Sequence, residues 1–375
     1  LHNSLTQRFV DRRAAALTRM RDSDNFGAVV GEKGDVAVGG VFVGHLEGFR
    51  FVPDHSAAAS GRPALMTAVN KALREALSPR VNAFCVAPDR EFAIDQGGAI
   101  FWSGSVVASL VKGANIITPR VVVLPNDYLS GGQRERMHKR LVDWIESQLA
   151  EALERLVYLR NSPLDGLARG LAYRIVEGLG SIPRASVLGE LRDMSKENRS
   201  ALRASGVRIG PETLFVPALV KPRAVKWRAL LWSLFNEKPP ADLPKAGLVT
   251  IPVGDDNEQD YLTACGFSCL GKRAVRVDVL DRLAGDLQRQ SRSGNLEIGA
   301  TELNLLGLSM EDARPVFEAL GYVAEERGEK LTWRWAGRPR TKKRKRQKSR
   351  AEKEPIGSNI NRKKNSEHQK FDETS

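Results

Sequence analysis

The stretch GAVVGEKGD, Gly27 to Asp35, is the part of this sequence nearest to a phosphate-binding loop. Such a loop needs G-x-x-x-x-G-K-[ST]. Its backbone amides ring the phosphates, the lysine reaches them, and the hydroxyl meets Mg²⁺. Here Gly27 and Gly31 stand one residue too close, Glu32 intrudes before Lys33, and Gly34 replaces the hydroxyl residue. No apolar helix follows, so these glycines are expected to turn strands and not to hold ATP. Cys265 and Cys269 form C-x-x-x-C. Zinc needs four ligands, and neither Cys85 nor the five scattered histidines offer a matching pair, so buried thiols are expected. Asp54 and His55 adjoin a turn without an identifiable partner to orient the imidazole. No G-x-S-x-G, H-E-x-x-H or G-x-G-x-x-G occurs in a supporting context. No catalytic residue, metal ligand or cofactor is therefore expected in this chain, although an enzyme of unrecognised type stays open.

Binding chemistry is better represented. Arg134, Arg136, His138, Lys139 and Arg140 crowd one helix start. Lys221, Arg223, Lys226 and Arg228 surround Trp227, and Arg327, Lys330 and Arg334 accompany Trp333 and Trp335. Arg8, Arg12 and Arg13 lie on the first helix, and Lys342, Lys343, Arg344, Lys345 and Arg346 form an unbroken cationic run. Cations neutralise phosphates, and aromatic rings stack on unpaired bases. Each cluster alone is also the composition of an ordinary solvated face or a core tryptophan. Together they make nucleic acid the leading partner.

The elements that must position these residues are legible in outline. With 375 residues and 42% apolar content, the chain has room for two or three domains. No apolar run approaches the ~20 residues of a membrane span, and no basic-then-apolar leader opens the chain. Few cysteines fit a reducing compartment, and a cytoplasmic location is expected. After residue 336 there are 14 Lys/Arg against 5 Asp/Glu, so most of the net charge of +13 lies in a tail and the body is mildly basic.

The pattern predicts an α+β multidomain chain. A basic helix occupies 1–25. Residues 26–160 form a duplicated module of antiparallel β-meander plus helix. The duplication sets Gly34 on Gly98, Val36 on Ile100, Gly40 on Gly104, Val43 on Val107, Leu46 on Leu110 and, after one insertion, Gly48 on Gly113. Helices are expected at 63–78 and 132–158. Residues 161–240 are mostly helical, at 164–178, 184–193 and 195–205, then an extended TLFVPALVKP and an apolar helix AVKWRALLWSLFN. In 241–336, an acidic loop VGDDNEQD precedes a hairpin, a helix capped by Asp278, a strand LEIG, two short helices and a last hairpin. That is the order of a winged helix, with Pro315 inside the third helix as its flaw. Residues 337–375 are expected to be disordered.

SLTQRFVDRR, GVFVGHLEGFRFVPD, PALVKPRAVKWRALLWSL and RAVRVDVLDRLAG resemble the region after the motor in alphaproteobacterial ATP-dependent helicases related to the mitochondrial degradosome (Suv-type) RNA helicase. The resemblance runs from residue 1 to about 336. It implies an accessory C-terminal region that binds single-stranded RNA beside two RecA-like motor domains, supplied in cis or in trans. No motor motif maps onto these residues. ATP and Mg²⁺ would belong to the missing motor, and the Leu start agrees with a fragment. The alternative is a winged-helix DNA-binding regulator. No membrane partner is expected.

Overall fold

In the computed structural model, the described residues are 28–31, 34–38, 41–54, 63–239, 241–254, 256–293, 296, 298–327 and 330–337. The glycine-rich stretch does turn strands. β1 (Ala28–Val30), β2 (Asp35–Val38), β3 (Val41–Glu47) and β4 (Arg50–Pro53) form an antiparallel sheet in that order, and α1 (Pro63–Val86) follows. Further along, β5 (Phe92–Ile94), β6 (Ala99–Trp102), β7 (Ser105–Asn115) and β8 (Thr118–Val123) pair in the same order. They lead into α2 (Gly131–Ala152).

The registers of the two sheets correspond. Val36 faces Gly44 where Ile100 faces Ala108, and each ladder slips one residue later. The Leu46 amide donates to the Gly34 carbonyl at 2.8 Å, and the Leu110 amide to the Gly98 carbonyl at 2.7 Å. Gly34 and Gly98 turn the chain at φ +87° and +85°, a region costly for residues with a Cβ. Gly48 and Gly113 do not correspond. Gly48 lies in the tight β3–β4 turn, whereas Gly113 sits inside β7, whose longer hairpin turns at Ile116 and Ile117. Gly40 lies outside the described residues.

α1 passes beyond Ser78, through Pro79, to Val86. A proline inside a helix costs about 3 kcal/mol. The stripe Leu73, Leu77, Val81 and Phe84 is fully buried on both sides of it, and completing that stripe outweighs the lost hydrogen bond. The helix expected at 132–158 is broken at Leu153 into α2 and α3 (Glu154–Asn161).

The middle contains α4 (Gly166–Glu177), β9 (Ser181–Pro183), α5 (Leu188–Asp193) and α6 (Lys196–Ala204). β10 (Arg208–Ile209), β11 (Thr213–Phe215) and α7 (Pro222–Asn236) follow. The expected extended segment is a strand only over β11, and Pro217–Val220 is a 3-10 turn.

Beyond it come β12 (Thr250–Pro252), α8 (Asp256–Ala264), β13 (Phe267–Leu270), β14 (Arg273–Arg276), α9 (Val277–Arg292), α10 (Ala300–Leu306), α11 (Met310–Ala319), β15 (Tyr322–Arg327) and β16 (Lys330–Trp335). The later part of the acidic stretch expected as a loop, from Asp256, lies in α8 instead, where the Glu258 carboxylate suits the positive end of the helix dipole. Asp278 is not a cap. Arg276 holds the N-cap position and pairs with the Asp278 carboxylate at 2.6 Å. Leu296, Ile298 and Gly299 are not in a strand, and the first two bury their side chains beside α9 and α11. Pro315 remains inside α11, where Val316 and Phe317 are fully buried.

The chain is thus a mixed α and β protein built from small antiparallel sheets and helices. One large core joins both four-stranded sheets to α1–α4 and α7. A second core unites α9, α10, α11 and the last hairpin, and a smaller one joins α7 and α8. No helix among the described residues is long and apolar enough to cross a membrane.

Candidate nucleic-acid interface

The first cluster sits on α2. Its start is fixed by a reciprocal cap in which Ser130 accepts from the Gln133 amide and the Gln133 side chain accepts from the Ser130 amide. Met137, Leu141, Trp144, Ile145 and Leu149 form the buried stripe, which turns Arg134 and Lys139 outward. Neither has a carboxylate within ion-pair distance among the described residues. Arg136 donates to Asn82 Oδ1 at 2.7 Å and so keeps an uncompensated charge beside α1. Arg140 is different. It pairs with Asp89 at 2.6 Å, donates to the Ala87 carbonyl at 2.8 Å and lies 4.8 Å from the Phe92 ring centre. That guanidinium holds the fold together.

The second cluster divides by helix face. Lys221 and Lys226 are exposed, without carboxylate partners among the described residues. Arg223 makes a two-pronged contact with Glu151, one prong at 2.7 Å, and also reaches Gln148. That pair holds the Glu151 carboxyl below its usual range.

Arg228 faces the core and not the surface. It is 1% exposed, with Ala224, Trp227 and Leu231 on the same inward face of α7. Its guanidinium donates to the Leu219 carbonyl at 3.0 Å and to Ser181 Oγ at 2.9 Å. It lies against Gly266, just past the C-terminal, negative end of α8. Burial lowers its pKa to about 10 and raises the neighbouring Cys265 thiol to about 12. A polyanion does not reach this group.

On the last hairpin, Arg327 faces Lys330 in backbone register, and their side chains lie outside the described residues. Trp333 is not a stacking platform. It is 5% exposed, with its ring centre 5.3 Å from that of Phe317. Alternation along β16 puts Arg334 outside, paired with Glu325, while Trp335 is 60% exposed. Arg8, Arg12, Arg13 and the run Lys342 to Arg346 lie outside the described residues.

Two concavities were missed by the reading of charge clusters. A cleft of about 340 Å³ is lined by Phe92, Trp144, Trp227 and Tyr261, with Arg223 and Lys226 beside them. A groove of about 420 Å³ lies where the β7–β8 hairpin meets the α3–α4 turn. Its lining includes Arg160, Arg169 and Tyr173, and Tyr173 is 66% exposed. The signal was present in sequence. The buried stripe of α4 is Ala168, Leu171, Ala172, Ile175 and Val176, and Tyr173 is a large ring off that stripe.

Between β1 and β2, the Gly34 amide donates to the Gly31 carbonyl at 2.9 Å. All three cysteines are free, and no group of three or more His, Cys, Asp or Glu close enough to hold a metal occurs among the described residues. Comparison of the chain with protein-family models, curated proteins and solved structures finds no match.

Proposed function

We propose that this chain holds single-stranded RNA beside an ATP-dependent helicase motor, whose ATP and Mg²⁺ sites lie in domains other than the described ones. The observation that carries this reading is the set Arg134, Lys139, Lys221 and Lys226, four exposed cations without a carboxylate partner among the described residues, on α2, on α7 and at the N-cap of α7. Phosphates attract such cations without regard to sequence. The likeness of the quoted segments to the Suv-type helicases supplies the motor. The matched registers and matched Gly34 and Gly98 turns support descent of the two sheet-and-helix modules by duplication.

Binding is measured by fluorescence anisotropy of a labelled single strand across a salt series. If four cations each neutralise one phosphate, log K against log salt has a slope of about −3 for a single strand. An affinity indifferent to salt refutes the reading, and so does ATP hydrolysis by the purified chain.

A DNA-binding regulator is the second reading. The three helices α9, α10, α11 and the β15–β16 hairpin around one core favour it, since a winged helix has these parts, although the expected strand between α9 and α10 is not among them. It demands preference for one duplex sequence, whereas an RNA-holding region prefers single strands. Competition between random duplex and single strand separates the two.

A further inference from the structure

We propose that the groove between the β7–β8 hairpin and the α3–α4 turn seats one unstacked base of a bound RNA strand, its ring on Tyr173 and its flanking phosphates on Arg160 and Arg169. The inference rests on the RNA-holding reading above and assigns that reading a site.

Three properties of the groove select this occupant. The first is the exposed ring. α4 already satisfies the core through Leu171 and Ile175, so Tyr173 gains nothing from packing and presents a flat apolar face to solvent. Such a face is a stacking platform for any base.

The second is the pair of cations. Arg169 precedes Tyr173 by four residues and shares its side of α4. Arg160 comes from the end of α3. Neither forms an ion pair among the described residues, although Asp165 and Glu177 line the same groove.

The third is those two carboxylates. They cancel the arginines in sum, so the groove is no general sink for anions. Inorganic phosphate would meet Asp165 and Glu177 as repulsion alone. A nucleotide offsets that repulsion on its phosphates with base N–H groups and a ribose hydroxyl, which donate to carboxylates. Asn115 adds a donor. Its Oδ1 accepts from the Ile117 amide at 3.2 Å, which leaves its NH₂ turned to other use. Ring, cations and hydrogen-bond acceptors together match a nucleotide and match neither a simple anion nor an aliphatic chain.

The test is anisotropy with a labelled oligouridylate and with a ribose–phosphate strand of equal length lacking bases, on the full chain. Stacking on one side chain predicts that Tyr173→Ala weakens oligouridylate binding about tenfold, while Tyr173→Phe, which keeps the ring, stays close to wild type. The strand without bases binds wild type and Tyr173→Ala alike. Arg160→Ala and Arg169→Ala weaken both strands. All three side chains replaced are exposed, and an unchanged thermal midpoint confirms the fold. If Tyr173→Ala binds oligouridylate as wild type does while Arg134→Ala and Lys139→Ala weaken it, the groove assignment is overturned and the RNA-holding reading stands. If wild type binds no single strand, both are overturned.

Discussion

Arg228→Met separates the two roles an arginine in a basic cluster can have. The wild-type guanidinium makes two hydrogen bonds, to the Leu219 carbonyl and to Ser181 Oγ. Bonds from a charged donor contribute about 1.5–3 kcal/mol each, so about 3–6 kcal/mol together. Burial opposes them and lowers the pKa to about 10, a cost that these net figures already include. The expected loss in Arg228→Met is therefore about 3–6 kcal/mol. Methionine fills most of the volume, so the loss reports the bonds and not a cavity. Arg228→Lys should fall in the same range, because one ammonium on a shorter fork-less chain does not reproduce both contacts. Urea unfolding followed by tryptophan fluorescence measures the stability, since Trp227 is the preceding residue. The same samples are then titrated with labelled RNA under conditions where they are folded. The expected result is a lower urea midpoint with unchanged affinity and salt slope. An unchanged midpoint with affinity reduced severalfold would refute the burial argument and return Arg228 to the interface.

Two further outcomes follow from the same geometry. Gly34→Ala and Gly98→Ala both destabilise the protein, by about 1–2 kcal/mol for the left-handed backbone alone. Gly34→Ala is the more severe, because its Cβ would lie 2.7 Å from the Leu46 carbonyl oxygen against 3.2 Å from the Leu110 oxygen at Gly98. Thermal unfolding of the two variants checks the order. Burial raises the Cys265 thiol to about 12 and Cys269 to about 11. Both stay protonated at pH 8, where the reactive thiolate is scarce, so iodoacetamide should label them slowly in the native protein and quickly in urea. Equal rates in the two conditions would contradict the buried-thiol arrangement.

The parts of the fold that were readable are those where local chemistry acts alone. Short alternating runs broken by glycine gave both meanders, and a serine cap is equally local: at the start of α11 the Ser309 hydroxyl accepts from the Asp312 amide at 3.2 Å. The misreadings arose where tertiary burial overrode a local rule. Pro79 is a stop signal by itself, and only the stripe from Leu73 to Phe84 shows that the helix continues. The acidic run before Gln259 has loop composition, but Glu258 lies in the first turn of α8, where its carboxylate accepts from the Gly254 amide. LEIG has a strand's alternation without a partner strand, so its apolar residues serve a helical core instead.

The proposed interface was harder to read because residue type does not fix direction. Lys226 and Arg228 are two positions apart on α7, and that step of about 200° carries one outward and the other into the core. Trp333 and Trp335 are also two apart, yet on a strand that spacing predicts the same face. Trp333 is buried against Phe317 while Trp335 lies at the end of β16, where the core stops. Counting cations and rings therefore overstates an interface wherever a helix passes beneath it. It also passes over a lone exposed ring such as Tyr173 that stands off a buried stripe. Helical phase supplies the correction. Once Leu171 and Ile175 are assigned inward, Arg169 and Tyr173 fall together on the remaining surface, and a groove can be sought there before any charge cluster is counted.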